Sequence, residues 1–295
     1  LGHVTSKVHH MLRLQSFLFL WFLATTAASA DESVTAVMSA TFKIANKSSS
    51  ATCFIIGAPA QSDVGQQELI LLTAAHVFEK MSGDECHIVL RKKRGDGTFL
   101  RDEVTLRIRS AEKPLWVRHS DVDVAAIRFQ LPSERSITAL DLDQIAGEPM
   151  IKKGKLVCAN EVWIPGYPAQ LEANSAGFPV LRQGTVASFP LMPINHNKTY
   201  LVDSSTFGGD SGAPVLLGSG KHPDKQTRQP IIVGLVIGHH RETTKTVTPI
   251  EERTVHRPLG LAIVVHGEFI RQTVDLLRKS QEPPVTTARP RRSNS

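Results

Sequence analysis

The sequence predicts an all-β fold. Three observations point there: the apolar residues fall in short runs, glycine and proline punctuate those runs, and no regular alternation of strand-like and helix-like segments is present. The runs include Ala51–Gly57, Leu69–Thr73, His87–Leu90 and Val104–Ile108, each of strand length. Twenty glycines and 17 prolines interrupt them, a spacing expected of a sandwich or a barrel. A hydrophobic content of 41% over 295 residues suffices for a substantial core, and no internal repeat is present.

The elements follow in order. Residues 1–30 do not read as part of the domain: Met11-Leu12-Arg13 gives a charged start, Phe17 to Leu23 an apolar stretch, and Ala28-Ser29-Ala30 a small-residue cleavage site. This is the pattern of a leader for export, secreted or periplasmic, with the mature chain beginning near Asp31; an uncleaved anchor is the alternative. Strands then run from about residue 34. Arg91-Lys92-Lys93-Arg94 leads into Gly95-Asp96-Gly97, which reads as a solvated hairpin tip. A linker around Leu131–Glu148 precedes the strands at Val162-Trp163-Ile164, Gly184-Thr185-Val186, Ile232–Val236 and Leu261–Val265, and a helix follows. Residues 279–295, with Pro283-Pro284 and Arg289-Pro290-Arg291-Arg292, read as a disordered basic tail.

Charge excludes more than it suggests. The formal net charge of +6 is carried mostly by leader and tail, so the body is nearly neutral, and no basic face interleaved with aromatics points to nucleic acid. The 12 histidines lack the helical spacing of a zinc hydrolase, and Cys53, Cys86 and Cys158 lack that of a zinc site. Their odd number leaves one bridge plus a free thiol, or three free thiols, with Cys53 and Cys86 the preferred pair. Asn46-Lys47-Ser48 and Asn197-Lys198-Thr199 fit the glycosylation sequon.

The chemistry-bearing segments are Thr73-Ala74-Ala75-His76, Asp123-Val124-Ala125-Ala126-Ile127 and Phe207-Gly208-Gly209-Asp210-Ser211-Gly212-Ala213-Pro214. A serine hydroxyl needs a neutral imidazole to take its proton, and the imidazole needs a carboxylate to fix its tautomer. His76, Asp123 and Ser211 supply these groups in that order, with Asp121 competing for the carboxylate role. Glycines before the serine let the Gly209 and Ser211 amides face a developing oxyanion. An esterase-type elbow is excluded, because Ala213 stands where it needs glycine and both partners precede Ser211.

These motifs resemble those of the trypsin-like (chymotrypsin-fold) serine peptidases, over roughly residues 34–278, with Gly166-Tyr167-Pro168 a weaker matching feature. The resemblance implies two packed six-stranded antiparallel β-barrels, about 34–135 and 150–265, with a C-terminal helix over 266–278. It implies a serine endopeptidase acting on protein or peptide substrates through an acyl-enzyme, without metal or cofactor. No zymogen-type start precedes Val34, so the chain is similar to the bacterial-style subset that needs no N-terminal insertion. By the same resemblance Ser205 would form the floor of the substrate pocket, with walls near Thr206, Ile237, Gly238 and His239, and an uncharged floor favours small or medium uncharged side chains. The substrate backbone would add as a strand along Ile237-Gly238-His239. One departure stands out: Ile237 occupies the position where the family carries a serine bonded to the catalytic aspartate. That raises the alternative of a weak or inactive peptide-binding relative.

Overall fold

The computed structural model describes residues 32–59, 67–131, 135, 137–218, 229–247, 250–280 and 284–287. The expected leader lies outside the described residues. A helix over 32–40 (α1) comes first, and the first strand starts at Thr41. Val37 is buried, and the Thr41 hydroxyl donates to the Val37 carbonyl at 2.7 Å, closing the helix against the strand.

In chain order the N-terminal half contains β1 (Thr41–Ala45), β2 (Ser50–Pro59), β3 (Gln67–Thr73), α2 (Ala75–Lys80), β4 (Glu85–Lys93), β5 (Phe99–Arg107), β6 (Arg109–Ser110), β7 (Lys113–Pro114), β8 (Val117–Arg118), β9 (Ala125–Gln130) and β10 (Leu140–Asp141). After α3 (Glu148–Lys152) come β11 (Glu161–Gly166), β12 (Val180–Val186), β13 (Thr199–Asp203), β14 (Pro214–Leu217), β15 (Ile232–Val247), β16 (Glu252–His266), α4 (Gly267–Lys279) and β17 (Val285–Thr286).

The C-terminal half is a closed six-stranded barrel in the order β11-β12-β13-β16-β15-β14. The N-terminal half differs from the expected six-stranded closure. It is a nine-stranded sheet with the path β17-β9-β3-β2-β1-β4-β5, while β10 pairs with β2 and β8 with β9. Its ends, β5 and β17, approach each other without a ladder between them. β17 comes from the stretch expected to be a disordered tail: Val285 is buried, and the Thr287 N–H and hydroxyl both donate to the Gln130 carbonyl.

Residues 51–58 of β2 are buried throughout, as a strand with neighbours on both edges and packing on both faces must be. α4 buries Phe269, Ile270, Thr273, Val274 and Leu277 on one face. Glu268 in its first turn and Arg278 and Lys279 in its last complement the helix dipole. The preferred Cys53–Cys86 bridge is not made: all three cysteines are free, and β1 lies between the strands that carry the two buried ones.

The basic hairpin needs a correction. Its tip is solvated, with Gly97 at φ 83° and Asp96 Oδ1 accepting from the N–H and hydroxyl of Thr98. Arg91 is instead buried. Its guanidinium lies 4.4 Å and 4.3 Å from the Phe42 and Phe178 ring centres, and it donates to the carbonyls of Ser39, Thr41 and Gly177. A buried arginine is tolerated where carbonyls satisfy its fork and aromatic faces cover its plane.

Candidate active site

The site is assembled from three strand ends. β3 stops at Thr73, Ala74 stays extended at ψ 140°, and α2 begins at Ala75. Ala74 and Ala75 are fully buried, which explains why small residues precede His76 in the motif. The His76 N–H donates to Asp123 Oδ1 at 2.9 Å, and His76 Nδ1 lies 2.5 Å from Asp123 Oδ2. Facing a carboxylate, Nδ1 carries the proton, which leaves Nε2 as an acceptor. Nε2 lies 3.0 Å from Ser211 Oγ. Asp121, the competing carboxylate, is 55% exposed and pairs with Lys198.

Two opposing influences act on Asp123. Burial, the larger single one, pushes its carboxyl up. The side-chain and backbone hydrogen bonds from His76, with its electrostatic attraction and that of Arg118, together outweigh it and hold Asp123 below the usual carboxylate range.

Sterics dictate the nucleophile loop. Gly209 has φ 103°, and a Cβ there would sit 2.2 Å from the Tyr167 carbonyl oxygen. Gly212 has φ 91°, and its Cβ would sit 2.0 Å from the Thr52 carbonyl oxygen. Neither the Gly209 nor the Ser211 N–H has a partner among the described residues, whereas the Gly208 carbonyl accepts from the Ala169 N–H at 2.7 Å. That bond turns the Gly208–Gly209 peptide so that the amide points away from Ala169. Two such amides can receive a developing negative oxygen.

Sequence reasoning missed two supports of this loop. Thr52 on β2 is fully buried; its N–H donates to the Ser211 carbonyl at 2.9 Å and its hydroxyl to the Gly209 carbonyl at 2.7 Å. The Tyr167 N–H donates to the same hydroxyl at 3.2 Å. Arg182 on β12 forms a bidentate pair with Asp210, at 2.8 and 2.5 Å, and also donates to the Ser205 carbonyl at 2.7 Å. Asp210 is 1% exposed, and the Phe207 N–H gives it a third bond. Gly166 makes room for the pair, because a Cβ there would lie 2.7 Å from Asp210 Oδ1. No local signal marks either residue: Thr52 sits inside an apolar run, and Arg182 is one of several polar residues in a strand of mixed character.

The expected pocket residues take different environments. Ser205 is exposed, while Thr206 is buried with no partner for its hydroxyl among the described residues. Ile237 sits at a register shift between Val236 and Gly238 and packs half-buried against the core. Both hydrogen bonds described to Asp123 come from His76, so the position expected to carry a serine supplies no donor. Gly238 and His239 pair with β16 on one edge; β14 leaves their other edge after Leu235. His266 is fully buried against Tyr200, and neither ring nitrogen has a side-chain hydrogen-bond partner among the described residues. Burial pulls it from 6.5 down to about 4, with the Asn197 backbone opposing. Asn46 spends its side chain on the β1–β2 turn and on the Ser82 carbonyl. Among the described residues, no group of three or more His, Cys, Asp or Glu side chains could hold a metal ion, and no helix is long and apolar enough to cross a membrane.

A half-buried carboxylate, a histidine and a serine hydroxyl in line at the mouth of a β-barrel are the arrangement of trypsin-type peptidase domains. The trypsin-like peptidase domain profile matches residues 51–222, and the chain belongs to that family. No curated protein matches it. Solved structures similar to it include an inactive form of Rv3671c from M. tuberculosis H37Rv with serine replaced by alanine, at 14% identity and TM-score 0.42, covering 84% of this chain and 91% of that one. A second inactive-form structure of the Rv3671c protease matches at 15% identity and TM-score 0.41, covering 83% and 91%. The thermostable serine protease AL20, from an extremophilic microorganism, matches at 15% identity and TM-score 0.46, covering 83% and 100%.

Proposed function

We propose that this peptidase-family protein is a serine endopeptidase in which Ser211 is the nucleophile, His76 the general base and acid, and Asp123 the group that orients the imidazole. The observation that carries the proposal is the unbroken line from Asp123 Oδ2 to His76 Nδ1 at 2.5 Å and from Nε2 to Ser211 Oγ at 3.0 Å. In the proposed reaction Nε2 takes the hydroxyl proton as Oγ attacks the scissile carbonyl, and the tetrahedral oxygen settles between the Gly209 and Ser211 amides. The imidazolium then gives its proton to the leaving amine, and water repeats the sequence on the acyl-enzyme. The Arg182–Asp210 pair supports activity without an inserted N-terminus, since the buried carboxylate beside the nucleophile already has a cation. The edge at Gly238 and His239, unpaired among the described residues, supports binding of an extended peptide, and a preference for uncharged side chains before the cleaved bond goes with the uncharged Ser205 and Thr206. Export follows from the leader-like residues 1–30, and N-terminal sequencing of the exported chain tests it.

One observation favours a second reading, a weak or inactive peptide-binding protein: Ile237 leaves Asp123 without a third hydrogen bond. A fluorophosphonate probe decides between them. Labelling of the folded protein that is lost in Ser211→Ala supports the endopeptidase; folded protein that takes no label supports the binding module.

A further inference from the structure

The backbone of residues 211 and 212 is fastened on two sides. The Thr52 N–H donates to the Ser211 carbonyl at 2.9 Å, and the Gly212 N–H donates to the Val236 carbonyl at 2.7 Å. Each bond belongs to a strand that leads away from the nucleophile. On the Val236 side the rim is Ile237-Gly238-His239; on the other it is β2, running back through Ser50 to the β1–β2 turn.

Along this second rim lies a cavity of about 290 Å³. Its functional lining is Lys43, Lys47, Ser50, Arg101, Glu103 and Gln170. Two of these tie it to the site. Ser50 stands two residues before Thr52, roughly 7 Å along an extended strand. Gln170 follows Ala169, whose N–H holds the Gly208 carbonyl behind the Gly209 amide. The cavity is at the lower end of the ~300–1,000 Å³ range of small-ligand pockets, so it suits one or two side chains.

Its charge is fixed in place. Lys43 and Arg101 both pair with Glu172, at 3.0 and 2.5 Å, and Lys43 also donates to the Gln170 carbonyl at 3.0 Å. Lys47 is exposed and has no partner among the described residues. Its turn is rigid: Asn46 Oδ1 accepts from the N–H groups of Ser48 and Ser49 at 2.9 Å, and Asn46 Nδ2 donates to the Ser82 carbonyl at 2.9 Å. Three cations, Lys43, Lys47 and Arg101, stand against two carboxylates, Glu103 in the lining and Glu172 beside it, which leaves the exposed Lys47 as the cation without a carboxylate partner among the described residues.

We infer that this cavity is a specificity site for an acidic side chain on the leaving peptide, within the first three residues after the cleaved bond. The inference rests on the endopeptidase reading, because only a substrate lying along Ile237–His239 with its acyl half sends its leaving half to the opposite rim. The site selects a peptide already arriving at Ser211 and takes no part in bond making.

The test uses the full chain and paired quenched peptides, identical up to the cleaved bond and carrying either Glu or Lys at the first three positions beyond it. The Glu peptides are expected to be cleaved about three to ten times more efficiently in kcat/KM, the range for one or two partly exposed ion pairs, and salt compresses the ratio. Lys47→Glu levels or inverts the ratio, while Lys279→Glu, the same charge change on α4, leaves it in place. The non-cleaving Ser211→Ala protein is titrated with the same peptides and binds the Glu peptide more tightly. Charge-blind cleavage by a protein that takes the fluorophosphonate label overturns the cavity assignment alone, as does a preference that Lys47→Glu leaves untouched. Folded protein that neither labels nor cleaves overturns the endopeptidase reading and this inference with it.

Discussion

Replacing Arg182 with methionine tests whether Asp210 is held for catalysis by an internal cation. The substitution removes two hydrogen bonds to Asp210, at 2.8 and 2.5 Å, and one to the Ser205 carbonyl at 2.7 Å. Asp210 is 1% exposed, so water does not replace the guanidinium, and among the described residues the carboxylate keeps the Phe207 N–H alone. Removing one partner of a buried pair costs about 3–5 kcal/mol, a large share of the ~5–15 kcal/mol that holds a typical domain folded. The chain can reduce that cost by turning Asp210 outward, which displaces the flanking Gly209 and Ser211 amides. A misplaced oxyanion donor lowers the rate on the order of a hundredfold or more. The assay pairs urea denaturation with the rate of fluorophosphonate labelling at Ser211. Arg182→Met is expected to lower the midpoint and slow labelling, whereas Arg182→Met with Asp210→Asn recovers stability without recovering the rate, since no charge remains buried and nothing anchors the loop. Arg182→Lys falls between, because a point charge cannot form the bidentate pair. An Arg182→Met protein with unchanged midpoint and labelling rate refutes the argument.

Asp123→Asn should keep the fold and lower kcat on the order of 10⁴-fold by favouring the wrong imidazole tautomer, measured on a peptide substrate that the parent cleaves. Because the Asp123 carboxyl is held below its unfolded value, its stabilisation is complete above the ordinary carboxylate range and is lost as pH falls through the lower folded value; acid unfolding of Asp123→Asn therefore lacks that contribution. His266 has the opposite proton balance: the unfolded chain binds its proton first, so stability falls as pH drops from 6.5 towards about 4, by at most about 3 kcal/mol, and His266→Phe flattens that limb of a pH-dependent denaturation series. Gly212→Ala meets the Thr52 carbonyl at 2.0 Å and a φ of 91°, so it should yield protein that is unfolded or takes no label; a folded, labelled variant would show that the loop can move aside.

What was legible in the sequence is what local sterics force. Ala74, Ala75, Gly209 and Gly212 each stand where a larger side chain would strike a named backbone or hydroxyl atom or open a buried seam, so the motifs survive as readable strings. The apolar runs were legible for a similar reason, since β2 is buried over eight consecutive residues and has no polar face to show. Arg91, Arg182 and Thr52 were not legible, because each acts on residues far away in the chain. Arg91 shares its run with three solvated basic residues, and only carbonyls from Ser39, Thr41 and Gly177 with two phenyl faces distinguish it. Residues 34–40 look strand-like by composition, yet the buried contact of Val37 and the bond from Thr41 fix them as helix. The tail composition concealed β17 because two residues carry no periodicity; pairing with Phe129 and Gln130 decides their state.

Those long-range supports also explain why the site belongs to the whole domain rather than to either half. His76 and Asp123 come from the N-terminal sheet, and Ser211 comes from the barrel; the 3.0 Å contact between imidazole and hydroxyl therefore exists only when the halves are docked. The docking bonds fall on the loop itself. Thr52 from β2 grips the Ser211 and Gly209 carbonyls, and the Tyr167 N–H closes the same knot from the barrel side. Arg91 joins the two halves a second time through the Tyr167 hydroxyl and the Gly177 carbonyl. A displacement at this interface reaches the oxyanion amides without altering a single catalytic side chain, because the peptide units that carry them are the ones being gripped. Loss of activity on heating or in denaturant should accordingly coincide with separation of the halves, ahead of any melting within the barrel core.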